Sequence, residues 1–263
     1  LKDVTDAVER AGLLLAAEWR RPSGPRGFGD KAEIDVEIEL LLRRELIQLL
    51  ECDFWGEETG YLLTGHPWCW VLDPNDGTSD FLKGRKGSAI AAGLLHNNLP
   101  VLGVVHAPVT PQGSPDIIAW AEGMPHLLRN GTPVISNLRE ASFNAESLIM
   151  VSAAASEKSE LNAELCAPAS FYPMPSIAYR LARVAAGDAL CGVSLFPVSA
   201  HDVVAAHALL RGAYGVLVDE NGEEISYQTE EKMLTVSQRC FGGEAFACRE
   251  LLQRDWSRIF GPN

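Results

Sequence analysis

At 263 residues, 47% of them hydrophobic, the chain is long enough to bury a sizeable core as one large domain or two compact halves. A formal charge of −13 argues against nucleic acid as a partner, because phosphate backbones are held on Lys/Arg surfaces. The same charge leaves a small phosphorylated substrate open, since bound divalent cations reverse the local sign of a site.

No apolar run reaches the roughly 18 residues that a membrane span needs, and no signal peptide is visible. The chain starts at Leu1 rather than Met, so a trimmed leader stays open. Six cysteines lie scattered, without a C-x-x-C pair or metal-ligand spacing. They read as reduced thiols packed like small apolar residues, which fits a soluble protein of the cytoplasm.

In chain order, Val8, Ala11, Leu14, Leu15 and Trp19 recur at helical spacing and predict a first helix over Val4–Trp19. Pro22–Gly29 reads as a mobile loop. A second helix is expected from Ile34 to Leu50, with Ile38, Leu41, Leu42 and Leu46 on one face. The strand Trp68–Leu72 should end on a sharp turn at Asp73-Pro-Asn-Asp-Gly77. Further strands are expected at Ser88–His96, Val101–His106 and Ile117–Ala121, and their short connections make this half antiparallel. Beyond about Asn144 the rhythm changes to strand Ser147–Ser152, helix Ser176–Ala186, helix Asp202–Arg211, strand Tyr214–Val218 and helix Glu244–Trp256. Such alternation predicts a layered α/β unit. The expected boundaries are 1–145 for the first half and 146–263 for the second, working as a single functional unit.

The most informative stretch is Trp70-Val-Leu-Asp73-Pro-Asn75-Asp76-Gly77-Thr78-Ser-Asp80-Phe81. It places two carboxylates three residues apart, with Pro74 fixing its own φ and Gly77 permitting a backbone closed to bulkier residues. Hard cations such as Mg²⁺ take oxygen ligands, and two aspartates with the intervening carbonyl of Asn75 can bridge a pair of them. The N–H groups of Gly77 and Thr78 face a phosphate if a helix starts there. Taken alone, the stretch also reads as a turn with solvated or capping acids. Gly56-Glu57-Glu58 is by itself a weak signal, and Asp202, at the start of an apolar helix, is by itself most simply an N-cap.

In this order, the three segments resemble the inositol monophosphatase family of metal-dependent phosphatases. That family pairs G-E-E with D-P-[IL]-D-G-T and a later W-D helix start. Its superfamily includes 3'(2'),5'-bisphosphate nucleotidases and fructose-1,6-bisphosphatases. Leu102–Pro108, Pro175–Ala178 followed by Val184–Gly187, and Tyr214–Gly222 are similar to further family segments, so the likeness runs from about Asp35 to Gly222. It implies an α+β or α/β layered α-β-α-β-α sandwich, with an N-terminal antiparallel sheet and helix pair and a C-terminal α/β half. Glu57, Asp73, the Asn75 carbonyl, Asp76 and Asp202 would then ligate two or three Mg²⁺ ions. Gly77 and Thr78 would hold the phosphate together with Asp202. Asp35 would hydrogen-bond Thr78 and, with Glu57, help to activate a water. The implied activity is hydrolysis of a small phosphate monoester, and the implied assembly is a homodimer.

The sequence departs from the family pattern around substrate recognition. Asn75 stands where an aliphatic residue is usual, His201 replaces the Trp of W-D, and Lys31-Ala32 replaces V-T. Pro175 and Ile177 replace small residues of G-S-A-A. Asn75 needs only its carbonyl, and His201 reads as a partly exposed neighbour rather than a ligand. Phe81-Leu-Lys83-Gly84-Arg85-Lys86 is reminiscent of the bisphosphate-nucleotidase branch. Its basic side chains either meet a second phosphate or form a solvated charge run.

Overall fold

The computed structural model describes residues 1–261; the last two positions of the expected second half lie outside them. Helix α1 (Lys2–Trp19) buries Val4, Val8, Ala11 and Leu15 as one stripe. The segment read as a mobile loop instead ends in a hairpin of β1 (Gly27–Phe28) and β2 (Lys31–Ala32). Its approach is fixed by Arg26, whose Nη2 and Nε donate to the buried Glu18 at 2.7 and 3.0 Å. Turn propensities do not register such a pair. The hairpin feeds α2 (Glu33–Leu49), which turns Ile38, Leu42 and Leu46 inward beside α1.

Strands β3 (Asp53–Gly56), β4 (Tyr61–Leu62), β5 (Trp68–Asp76), β6 (Ala89–His96), β7 (Leu99–Ala107), β8 (Asp116–Ala121), β9 (Leu127–Arg129) and β10 (Thr132–Val134) form one sheet in the order β10-β9-β8-β7-β6-β5-β3-β4. Both faces are covered, so the central strands are apolar nearly throughout. Leu72, Ile90 and Val104 face α1 and α2, whereas Val71, Ala91 and Val105 face the opposite layer. The expectation of an antiparallel half holds except at one place: β3 and β5 pair parallel. The chain turns back as β4 on one side of β3 and re-enters as β5 on the other, which makes the second pairing parallel.

The short helix α3 (Thr78–Leu82) follows β5. After β10 come β11 (Leu148–Ser152), α4 (Ser159–Cys166), β12 (Ser170–Met174), α5 (Ile177–Ala185), β13 (Cys191–Ser194), α6 (Ala200–Gly212), β14 (Val216–Val218), α7 (Glu230–Leu234), β15 (Cys240–Gly243) and α8 (Ala245–Leu252). The second sheet has the order β12-β11-β13-β15-β14, with β11 parallel to both neighbours and β15 antiparallel to both of its own. Helices α5 and α6 lie between the two sheets, α1 and α2 cover the first, and α4 and α8 cover the second. This is the layered α-β-α-β-α sandwich.

Two contacts hold the layers in register. Gly93 on β6 and Gly103 on β7 are direct partners across the ladder. A Cβ at Gly103 would stand 2.0 Å from the Ala205 carbonyl oxygen, and one at Gly93 would stand 2.9 Å from the Ala205 nitrogen. Helix α6 therefore rests on bare backbone at these strands. The second contact is a charged clasp. Arg129 donates to Asp116 at 2.7 and 2.8 Å and to Asp188, just beyond α5, at 2.8 Å. Arg183 Nε reaches Asp188 at 2.6 Å, and the Tyr179 hydroxyl donates to Asp116 at 2.6 Å. These neighbours hold the Asp188 carboxyl below its ordinary range, against burial that raises it. Removing Arg129 leaves the buried Asp116 without its counter-charge, while Asp188 keeps Arg183. Arg129→Ala is expected to lower stability by about 2–3 kcal/mol, whereas Tyr179→Phe, which removes one bond, costs about 1 kcal/mol. Urea denaturation midpoints check both.

Candidate active site and metal centre

The parallel pairing of β3 and β5 builds the first part of the site. Gly56 is in register with Leu72, so the next residue of each strand, Glu57 and Asp73, emerges at the same sheet end. The sharp turn expected at Asp73–Gly77 lies later than the sequence suggested. Strand β5 continues to Asp76, with an irregularity in its pairing to β6 between Asp73 and Asp76 that keeps both acids at this end. The reversal comes at Gly77, at φ 95°, where a Cβ would also crowd Pro175 at 3.3 Å. Helix α3 starts immediately, and its first N–H groups have no acceptor within the helix.

Helix α6 brings the last acid. Asp202 is not its N-cap, as the sequence alone suggested; it is the third residue of a capping box. Its Oδ2 accepts the N–H of the N-cap residue Ser199 at 2.5 Å. Donor atoms of Asp73, Asp76 and Asp202 all lie within 4.8 Å of one another. A second set, Glu57, Asp73 and His201, meets the same limit, and Asp73 belongs to both. Asp76 is anchored through Oδ2, which accepts the Ser176 hydroxyl at 2.5 Å and the Ala178 N–H at 2.6 Å at the start of α5.

Behind this cluster, the buried Asp35 of α2 receives Asn75 Nδ2 and Thr78 Oγ1, each at 3.0 Å. The Thr78 hydroxyl also lies 2.8 Å from the Asn75 carbonyl, so its single proton has two acceptors in reach. All eight residues singled out from the sequence, Asp35, Glu57, Asp73, Asn75, Asp76, Gly77, Thr78 and Asp202, therefore stand at one sheet end.

Their electrostatics show how strongly the acids press on one another. Burial, then the charges of Glu57, Asp76 and Asp202, raises the Asp73 carboxyl well above its ordinary range. Burial and Asp202 push Asp76 up to about 7, and burial alone dominates the rise of Asp202 to about 6. Asp35 is pushed up to about 7 by burial, against the lowering effect of its bonds from Thr78 and Asn75. Glu57 is an exposed residue by its overall surface, yet its carboxyl end lies among the other acids. Desolvation and the neighbouring carboxylates push it up to about 8. Oxygen donors this close repel unless protonated or bridged by cations, and their number and hardness fit divalent metal ions.

Several contributors carry no motif of their own. Glu39 is fully buried and accepts the N–H groups of Glu58 and Thr59 at 2.9 and 2.6 Å. A Cβ at Gly56 would lie 2.2 Å from its Oε1, which explains the glycine before Glu57. The buried Arg180 donates through Nε to the Ser176 carbonyl at 3.1 Å and through Nη1 to the Val193 carbonyl. It thereby braces the helix start that holds Asp76. Burial pushes its guanidinium down to about 10, against the raising effect of Asp76. His201 was expected to be a partly exposed neighbour. Its side chain retains 17% exposure, and its ring reaches Glu57 and Asp73. For Glu39, the spacing Asp35-x-x-x-Glu39 on one helix face was the available signal; Arg180 had none.

Residues 5–247 match the model of the inositol monophosphatase family. Probable inositol 1-monophosphatase ImpA of Mycobacterium tuberculosis is 34% identical over 139 residues, 49% of this chain and 50% of that protein. The chain thus matches about half the length of this relative. The 3'(2'),5'-bisphosphate nucleotidase CysQ of Aggregatibacter actinomycetemcomitans is 26% identical over 273 residues, 100% of this chain and 97% of its own. In fold, the chain resembles the inositol monophosphatase of Anabaena (Nostoc) sp. PCC 7120, with a TM-score of 0.72 at 22% identity over 98% and 97% of the two chains. It also resembles that of Thermotoga maritima, with a TM-score of 0.76 at 21% identity over 95% and 93%. The family match spans both sheets and every acid of the cluster, and on it the chain belongs to the inositol monophosphatase family.

Proposed function

We propose that this chain is a Mg²⁺-dependent phosphatase that hydrolyses a small, soluble phosphate monoester. The observation that carries this reading is the pair of three-donor sets joined at Asp73, an arrangement suited to two neighbouring cations. Glu57, Asp73, the Asn75 carbonyl, Asp76 and Asp202 would hold two or three divalent ions, Mg²⁺ in the first instance. When bound, these ions supply charge neutralisation for the phosphoryl oxygens, activation of the attacking water and help for the leaving oxygen.

The chain supplies positioning. The N–H groups of Gly77 and Thr78 orient the phosphate, with Asp202 opposite them across the cluster. Asp35 Oδ2 aligns the Thr78 hydroxyl, which orients the attacking water, and a carboxyl raised toward neutrality is suited to take up its proton. Glu57 orients that water from the other strand end. Little proton-transfer skill is asked of any single side chain, as is general for phosphoryl transfer.

The substrate is a small phosphorylated metabolite, with inositol monophosphates first, as the name of the mycobacterial relative suggests. One observation favours a second reading, 3'(2'),5'-bisphosphate nucleotidase activity: the CysQ relative aligns with the entire chain. The basic run offers that reading little. Arg85 pairs with Asp80 at 2.9 Å, Lys83 reaches the Ser79 hydroxyl at 3.1 Å, and Lys86 lies 5.9 Å from the centre of the Trp19 ring. No helix among the described residues is long and apolar enough to cross a membrane. A homodimer, as the family resemblance implies, in the cytoplasm, as the scattered free thiols suggest, completes the proposal.

Phosphate release measured with and without Mg²⁺ over inositol phosphates, adenosine bisphosphates, sugar phosphates and histidinol phosphate tests the reading. Release from inositol monophosphates that stops on chelation is expected; silence across the whole panel would end it. Asp76→Asn should lower kcat by at least about 100-fold at saturating Mg²⁺, and normal turnover would overturn the ligand assignment. A third outcome concerns the metal-free chain. Asp35, Glu57, Asp76 and Asp202 have folded-state pKa values above their unfolded ones, so the folded state binds more protons between about pH 4 and 8. Its melting temperature should fall as pH rises through that window. Saturating Mg²⁺ should flatten the profile and release protons, detectable by calorimetry in buffers of different ionisation enthalpy.

A further inference from the structure

We propose that His201 is a metal ligand, and that the ion it shares with Glu57 and Asp73 is a first-row transition metal ion rather than Mg²⁺. This rests on the two-cation reading above and goes beyond it, because it divides the centre into two chemically different positions. Asp73, Asp76 and Asp202 offer carboxylate oxygen alone, the donor set of a hard ion. Glu57, Asp73 and His201 offer two carboxylates and an imidazole, a mixed set that favours Mn²⁺, Fe²⁺, Co²⁺ or Zn²⁺ over an ion that dehydrates reluctantly and prefers oxygen.

The geometry supports the assignment from two sides. Ligands of one ion at about 2.1 Å stand about 3–4 Å apart, so donor atoms already within 4.8 Å need only a small contraction to share a cation. The ring of His201 also has no other occupation. Its Nδ1 is shielded from solvent without a hydrogen-bond partner, and its Nε2 lies 3.9 Å from Asp202 Oδ2, beyond hydrogen-bond reach. A buried imidazole nitrogen left unpaired is costly, and ligation through Nδ1 would remove that cost. The neighbouring Asp202 fixes the ring's place, because its capping-box bond to Ser199 locks the first turn of α6. The family pattern has Trp at this position, a side chain that offers no lone pair to a metal.

The test uses the full chain, stripped by a chelator and reloaded with two equivalents of Mn²⁺ in the absence of substrate. Pulsed electron paramagnetic resonance should detect a nitrogen hyperfine coupling from a directly bound imidazole. It should be missing in His201→Phe and His201→Trp. Calorimetry should show Co²⁺ affinity falling by at least about 10-fold in His201→Phe, with Mg²⁺ affinity changed by less than about 2-fold. Absence of the nitrogen coupling in the unaltered chain overturns the proposal whether or not the variants fold. So does unchanged Co²⁺ affinity in a folded variant. Nitrogen-coupled Mn²⁺ without any phosphate release would leave this inference standing and remove the phosphatase reading. Mg²⁺-dependent release without nitrogen coupling would do the reverse.

Discussion

Glu57, Asp73, Asp76 and Asp202 are pressed together where water is scarce, and the rest of the molecule is arranged around that repulsion. Two unit charges 4.8 Å apart repel by about 3 kcal/mol at an effective dielectric constant near 20. Burial and mutual charge shift its carboxyls upward, so the acids hold protons more readily than free carboxyls do. Cations convert the same closeness from a liability into affinity. The price of that affinity is a fold stable enough to hold like charges together before the metal arrives.

That stability comes from backbone as much as from side chains. The parallel pair β3 and β5 sets Glu57 beside Asp73 through register alone. The capping box at Ser199 and the start of α5 at Ser176 each bind one carboxylate oxygen with main-chain N–H groups, leaving the other oxygen free. Arg180 sits behind the second of these as a buried cation, so the cluster has a built-in counter-charge that does not occupy the metal-facing side. Asp202 and Asp76 thus each bind a helix start with one oxygen, Asp202 from within α6 and Asp76 from the end of β5.

Much of this was legible in the linear order of residues. Asp73-Pro-Asn-Asp-Gly-Thr alone also reads as a turn with solvated acids, and it pointed to cations once Gly56-Glu57-Glu58 and the helix-start Asp202 were taken with it in order. Asp202 was harder, since a capping residue and a ligand look alike until the tertiary partner is known. The parallel pairing was invisible because register depends on the excursion through β4, a strand of two residues. Strands β13 and β15 went unseen for a related reason. Gly192, Gly242 and Gly243 weaken any strand signal, yet Gly192 and Gly242 are where Leu181 of α5 packs, with its Cδ2 3.0 and 2.5 Å from where a Cβ would stand. His201 looked peripheral because spacing along a helix start does not reveal which way a ring turns.

The paired glycines of β6 and β7 have a reach that their location conceals. They touch no acid, but they set how deeply α6 sinks onto the sheet, and Asp202 is carried on that helix's first turn. A methyl group added at either position would raise the helix and widen the gap between Asp202 and the strand bearing Asp73 and Asp76. The spacing of the acid cluster is thus written partly in two absent side chains, one of them on the strand next to β5. On the proposed reading, drift at those positions would alter the spacing of the acids without changing the identity of any of them.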